Sequence, residues 1–355
     1  MAVDPGGELL EEPEIPPEAL FELIDESMKG LARIAVLQAA VELDIFYHLA
    51  HASLVQDLSV ETGAKPEILT PLCDSLVDMG LVDRQGDRYR GTPMAFLYLS
   101  RSSPYRQTAY VEKIGRHTRD LWMQAPRILR DGPVTYPVEQ FFGEMSLPAM
   151  AENALCGRLQ RTVREIASLP EFPGFRRMID LGGGHGLYAI ALARANLHLT
   201  AWVFDFPYVT RLAARFIRQY RAERVHTFPG NFLTDDFGSR YDLVFSSSNP
   251  SGKSIPMVPR IADALNPGGF FVNVQSMGAT PQDPYQQLEW QLWSLEGNEK
   301  TGERRTREQP FLTPAYREAL AAAGLDIIRE KDIKDVYHRN SQVRMVIARK
   351  WHNTA

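Results

Sequence analysis

The chain has 355 residues, 44% of them hydrophobic and 23% charged, with a formal net charge of −5. That length exceeds one average domain, so two or three are expected, with enough apolar material for a sizeable core. The acidic balance argues against a nucleic-acid partner or an anionic membrane surface. Cys73 and Cys156, the only cysteines, make neither a disulfide framework nor a zinc site.

Residues 1–17 are acidic and proline-rich and read as a disordered tail. They lack the basic start and apolar run of a signal peptide. No run of 18 apolar residues occurs, so no membrane span is expected, and the cysteine usage fits a cytoplasmic protein.

Residues 18–102 form the first expected domain. Apolar residues recur at helical spacing from Ala32 to Leu49. Helices are then predicted over Leu54–Gly63 and from Pro66 to Gly80, the second opening on a proline as its first residue. Leu81-Val-Asp83 and Arg88-Tyr-Arg90 flank Gln85-Gly-Asp87 as a hairpin. Helix, helix, hairpin is a winged-helix pattern. The second helix carries Lys65 against Glu67, Asp74 and Asp78, a poor match for phosphates, which favours a structural module over DNA binding.

Residues 103–168 read as a mostly helical bridge with scattered aromatics, among them Tyr110, Trp122, Tyr136, Phe141 and Phe142. From residue 169 onward the rhythm changes to alternating strands and helices. Strands are predicted at Met178–Leu181, Leu199–Asp205, Arg224–Phe228, Asp242–Ser246, Gly269–Gln275, Gly324–Glu330 and Val343–Arg349. Helices fit between most of them, including Leu187–Ala195 and Tyr285–Ser294. Such alternation implies an α/β fold with a parallel sheet covered on both faces. The last strand follows by a short link without a helix, which suits an antiparallel neighbour.

The first of these strands ends in Asp180-Leu-Gly-Gly-Gly-His-Gly186. Gly182, Gly184 and Gly186 make a strand-to-helix turn on which a ligand can lie against bare backbone. The dinucleotide spacing G-x-G-x-x-G fails, because Leu187 stands at its sixth position, whereas D-x-G-x-G-x-G is met in full. The second strand ends in Phe204-Asp205, placing an acid where it can accept both hydroxyls of a ribose. A helix N-cap before Pro207 is the structural alternative for Asp205. Asn231 and Phe232 can meet the edge and face of an adenine, or serve as a turn residue and a core aromatic. The loop therefore points to an adenosine-containing ligand. No lysine and serine or threonine follow the glycines to grip a phosphate.

These residues resemble the small-molecule O-methyltransferase family that includes plant caffeate and flavonoid enzymes and many bacterial relatives. The matching stretches are Phe172 to Gly186, Phe204-Asp-Phe-Pro-Tyr-Val209, Pro229-Gly-Asn-Phe232, Tyr241-Asp-Leu-Val-Phe245, Ala264-Leu-Asn-Pro-Gly-Gly269 and Gly302-Glu-Arg-Arg-Thr306. The resemblance implies a Rossmann-like, seven-stranded class I methyltransferase domain over residues 169–355. It further implies a winged-helix-like, mostly helical N-terminal dimerisation domain, hence a homodimer. The cofactor implied is S-adenosyl-L-methionine, and the partner is a small-molecule acceptor. Cofactor contacts are then expected at Asp180, Gly182, Gly184, Asp205, Phe206, Asn231, Phe232, Ser246 and Ser247, although the family usually has Asp where Asn231 stands.

One part of the pattern is missing. The family's general base is a histidine in a His-Asp-Trp triplet shortly after the fourth strand, where this chain has Ser246-Ser-Ser-Asn-Pro-Ser-Gly-Lys253. The family's supporting glutamate is matched by Gln275. A phenol needs its proton removed, whereas a thioether sulfur has none to lose. The sequence therefore leans towards an acceptor that needs no base, such as a small methylthio acid, as in dimethylsulfoniopropionate synthesis. Alternatives are an O-methyltransferase with a relocated base, a C- or N-methyltransferase, and an inactive cofactor-binding regulator. His117 and Tyr110, seven residues apart on one predicted helix face, are the candidate replacements for the base, or else packing residues. Trp122 on the bridge, and Trp290, Trp293 and Asn298 on the segment that closes the pocket in the family, are candidate acceptor contacts, or core. Arg304, Arg305 and Arg307 can pair with an acceptor carboxylate, or form a solvated loop.

Overall fold

Near-continuous apolar strands must be covered on both faces, and this requirement organises the larger part of the chain. The computed structural model describes residues 12–277, 283–296, 311–335 and 342–351. Most of the expected N-terminal tail, together with Asn298, Arg304, Arg305 and Arg307, lies outside the described residues. The chain divides into two units, Met1–Gly115 and Arg116–Ala355, and the division falls inside the helix Thr108–Asp120. The bridge read from sequence as one piece is thus shared, its first residues going with the N-terminal unit.

The N-terminal unit opens with the long helix Glu18–Glu42. The helices Val55–Thr62 and Pro66–Asp78 follow in the predicted order, the first ending on Gly63 at φ 69°. Strands β1 (Ser53–Leu54), β2 (Val82–Gln85) and β3 (Arg88–Gly91) make a three-stranded antiparallel sheet in the order β1-β3-β2. β1 escaped the sequence pattern because two residues carry no periodicity. The core of this unit gathers Ile45, Phe46, Leu58, Leu69, Leu76 and Tyr89. Full burial of one such side chain is worth about 1.5–3 kcal/mol.

The second unit begins with helices and a short strand, β4 (Val134–Tyr136). The main sheet follows: β5 (Arg177–Leu181), β6 (Thr200–Asp205), β7 (Val225–Pro229), β8 (Tyr241–Ser247) and β9 (Leu265–Ser276). After β10 (Trp293–Leu295) come β11 (Leu325–Ile333) and β12 (Val343–Lys350). The seven-stranded order is β11-β12-β9-β8-β5-β6-β7. β5 to β9 pair in parallel, and β12 lies antiparallel between β9 and β11, as the short link predicts.

Period-two alternation sends neighbouring residues to opposite faces. Met178 joins one core cluster with Leu192, Val203 and Phe245, while Ile179 joins the other with Phe204, Val244 and Phe271. The edge strand β11 carries Arg329, Glu330, Lys331 and Asp332, charges that discourage pairing with a further strand. The chain leaves β5 on one side for β6 and β7 and returns on the other for β8. That reversal opens a crevice at the carboxyl ends of β5, β6 and β8, where open α/β sheets bind ligands.

The segment predicted as a helix through Ser294 stops at Leu292, and Trp293–Leu295 instead form β10, paired in parallel with β4. No helix of the described residues is long and apolar enough to cross a membrane.

Candidate active site

The turn after β5 has three glycines in left-handed backbone, Gly182, Gly184 and Gly186, at φ 65°, 55° and 73°. Residues with a Cβ avoid this region. Space excludes a side chain as well: a Cβ on Gly182 would stand 2.8 Å from Asn249 Nδ2, and one on Gly183 2.8 Å from Asp180 Cγ.

The loop is fastened to the end of β6. The Gly182 and Gly183 N–H groups donate to Phe204 O at 2.8 and 3.2 Å. Gly184 N–H donates to Asp205 Oδ2 at 2.9 Å, and Phe206 N–H to Asp205 Oδ1 at 2.8 Å. Asp205 does not act as a helix cap: Phe206 is the N-cap of Pro207–Gln219, with no side-chain bond. Each carboxylate oxygen therefore has one backbone partner and keeps a lone pair, which suits a pair of vicinal hydroxyls. Burial raises the Asp205 carboxyl, and the bonds from Gly184 and Phe206 oppose that rise.

Beneath the loop, Asp180 is 1% exposed, and its Oδ2 has no partner among the described residues. Burial first, and the charge of Asp205 second, push its carboxyl up to about 8. At neutral pH this carboxyl therefore mostly holds its proton, and a cation placed beside it would favour the ionised form. The proton has a consequence for stability. The unfolded carboxyl ionises near 3.8, whereas the folded one holds its proton to about 8. The folded state thus binds more protons across this window, and stability falls as pH rises through it. We expect a loss of about 2 kcal/mol between pH 6 and pH 8, abolished in Asp180→Asn, with urea midpoints as the readout. Parallel pH profiles for the two proteins would contradict this.

His185, buried in the loop, is lowered to about 4 by burial and by Arg158, and its Nδ1 accepts Leu187 N–H at 3.1 Å. Of the residues expected at adenine, Asn231 Oδ1 accepts Leu233 N–H at 3.0 Å, and Phe232 packs in the core beside β6 and β8. Phe206 stacks on Tyr208 with ring centroids 5.5 Å apart and 12° between planes. Ser246 bonds Asn249 Oδ1 and Ser251 Oγ, each at 3.1 Å. Ser247 accepts from Arg158, whose guanidinium also pairs with Asp335 at 3.1 Å.

An aromatic wall adjoins the loop. Phe141 stacks on Trp293 at 4.6 Å, Trp290 meets Trp293 edge-on at 5.2 Å, and Trp122 and Phe142 pack against the same cluster. Phe142 also belongs to the next cluster, with Leu147, Val209 and Phe206. Leu147 Cδ1 lies 3.4 Å from where a Cβ on Gly184 would stand. Trp122, Trp290 and Trp293 thus pack together, linked through Phe142 and Leu147 to the glycine turn. His117, 7% exposed, sits one helical turn before Leu121 of this wall. Its Nδ1 lies 3.1 Å from Glu289 Oε1. Tyr110 lies on the same helix within the N-terminal unit. Sequence reasoning missed Glu289 and Arg158, since 172 residues separate His117 from Glu289 and no local pattern links them.

Comparison with known proteins agrees with this geometry. Residues 150–324 match the O-methyltransferase domain, and residues 25–101 match the O-methyltransferase dimerisation domain. The chain is 31% identical over 236 residues to 3-hydroxy-5-methyl-1-naphthoate 3-O-methyltransferase of Streptomyces sahachiroi, spanning 63% of this chain and 67% of that protein. It is 30% identical to the N,N-dimethyltransferase OxyT of Streptomyces rimosus, over 66% of this chain and 72% of that one. Its fold superposes on human N-acetylserotonin methyltransferase in complex with S-adenosylmethionine, with a TM-score of 0.66 at 22% identity, covering 96% and 99% of the two chains. The glycine turn locked to an acidic strand end, the buried carboxyl beneath it and these matches together establish that the chain belongs to the O-methyltransferase family and is an S-adenosylmethionine-dependent methyltransferase of small molecules.

Proposed function

We propose that this methyltransferase acts on an ionisable hydroxyl, of a phenol or an enol, and that His117 removes its proton. The His117–Glu289 pair carries this reading. With its Nδ1–H donated to Glu289, the imidazole is oriented and keeps its Nε2 lone pair for an incoming proton. The carboxylate also stabilises the imidazolium that forms. A relocated base is therefore preferred here over the base-free chemistry to which the sequence leans.

S-adenosylmethionine, when bound, supplies an electrophilic methyl group on a sulfonium sulfur. Asp205 is the residue to hold its ribose and Asp180 to face its positive charge. The wall of Trp122, Phe141, Trp290 and Trp293 excludes water and lays the acceptor flat, the condition for an in-line approach at about 3–3.5 Å. Adenine contacts are assigned to Phe206, Asn231 and Phe232.

A second reading is transfer to a thioether sulfur, which needs no base. Its support is the stretch from Ser246 to Lys253 at the end of β8, which holds no histidine. Isotope-labelled cofactor, offered with phenols and thioether acids, separates the two: label in a phenolic ether is expected, and label in a sulfonium product would overturn the first reading.

We also infer a homodimer through the N-terminal unit. Besides the match to the dimerisation domain, its first helix leaves Leu20, Phe21, Leu23 and Met28 more than half exposed. Sedimentation at micromolar concentration is expected to show the dimer; a monomer would contradict it.

A further inference from the structure

Between β8 and the short helix Pro250–Lys253 the chain turns through Ser248 at φ 54°, left-handed backbone that a residue with a Cβ avoids. Such a conformation persists where its surroundings over-determine it. Ser248 N–H donates to Val274 O at 2.9 Å, and the Ser248 hydroxyl accepts from Arg158 Nη2 at 2.5 Å. The same nitrogen donates to Ser247 Oγ at 3.2 Å, a hydroxyl also bonded by Tyr188 of the helix Leu187–Ala195, which follows the glycine turn.

The residue after Ser248 touches the glycine turn itself. Asn249 Nδ2 donates to Leu181 O at 2.7 Å and stands 2.8 Å from where a Cβ on Gly182 would be. Its Oδ1 accepts Ser251 N–H at 3.0 Å, so the amide is held at both ends. The direction in which Ser248 turns the chain thus decides whether Asn249 reaches Leu181.

Arg158 is anchored on its own side. It opens the helix Arg158–Ala167, and its side chain is 11% exposed. Nη1 pairs at 3.1 Å with Asp335 Oδ2, whose side chain is 5% exposed. One turn on, Arg161 donates from Nε and Nη2 to Lys334 O at 3.1 and 2.7 Å. Two arginines of one helix therefore grip the residues just past β11, and the planar fork of the first spans from there to the end of β8. A lysine would keep the charge beside Asp335 but not the fork that reaches both serines.

We propose that Arg158 is a positioning residue for the cofactor: by holding Ser248 in left-handed backbone it aims Asn249 at the glycine turn, and it acts without touching the ligand. This rests on the assignment of Gly182 to Gly186 as the turn that receives S-adenosylmethionine.

The test titrates two ligands by calorimetry into the full chain: S-adenosylhomocysteine, and 5′-methylthioadenosine, which lacks the amino-acid carboxylate. The proteins are the wild type, Arg158→Lys, Ser248→Gly and the double variant. Arg158→Lys is expected to weaken both ligands about tenfold, the worth of one hydrogen bond to a charged group. Ser248→Gly alone is expected to leave both within about twofold, since glycine is at home in left-handed backbone. In the double variant glycine removes the need for the fork, and most of the lost affinity is expected to return. Asn249→Ala, which leaves Arg158 and Asp335 paired, is expected to weaken both ligands as Arg158→Lys does. Full affinity for both ligands in either Arg158→Lys or Asn249→Ala overturns the proposal, whatever the change in stability. So does a loss confined to S-adenosylhomocysteine, which would make Arg158 a partner of the ligand's carboxylate, and so does a loss that Ser248→Gly fails to restore. Absence of S-adenosylhomocysteine binding in the wild type would instead sink the cofactor assignment of the glycine turn.

Discussion

Asp205→Ala is expected to weaken binding of S-adenosylhomocysteine by about 10²–10³-fold, or roughly 3–4 kcal/mol. Two effects combine. The variant loses the acceptors for two ribose hydroxyls, bonds to a charged group being worth about 1.5–3 kcal/mol each. It also leaves the N–H groups of Gly184 and Phe206 without the carboxylate that positions the glycine turn against β6. Asp205→Asn is a sharper probe, because its amide turns one acceptor into a donor that faces a backbone N–H. Calorimetry on variants whose thermal unfolding matches the wild type is the measurement. An unchanged dissociation constant for either variant would remove Asp205 from the cofactor site.

The second large effect is expected at His117. With a phenolic acceptor, His117→Ala should lower kcat by about 10²–10⁴-fold while leaving the affinity for S-adenosylhomocysteine intact. Glu289→Gln should cause a smaller loss, since the imidazole remains but its orientation and its countercharge are weakened. A base acts only in the chemical step, so the deficit belongs in kcat and the acceptor KM should move little. If His117 is only a packing residue, the variant will lose stability and keep its turnover. If sulfur is the acceptor atom, turnover on a thioether acid will likewise be indifferent to the imidazole.

The proposed base, His117, was half legible. The sequence displays a histidine on a helix before the cofactor domain and its spacing from Tyr110. It cannot display Glu289, which reaches His117 from a segment that β10 holds against β4. Parallel pairing of two three-residue strands leaves no periodic trace, so Trp293 read as the end of a helix. The glycine turn is the opposite case. Gly182, Gly184 and Gly186 are written in consecutive order because their left-handed φ values are a property of each residue alone. Whether Asp205 caps the following helix needed coordinates, since a cap and a ligand both place an acid before a helix; its bonds go to Gly184 and Phe206, and Phe206 is the N-cap.

By itself, then, the sequence determined the alternation of strands and helices, the antiparallel last strand, the glycine turn and the acidic strand end, because these follow from local periodicity and from backbone preferences. The tertiary structure alone decided that Asp180 is a buried carboxyl lacking a partner for Oδ2 among the described residues, that Glu289 orients His117, and that Arg158 bonds the turn at Ser247 and Ser248. Burial and long-range hydrogen bonds are relations between residues far apart in the chain, and such relations exist only once the sheet has brought them together.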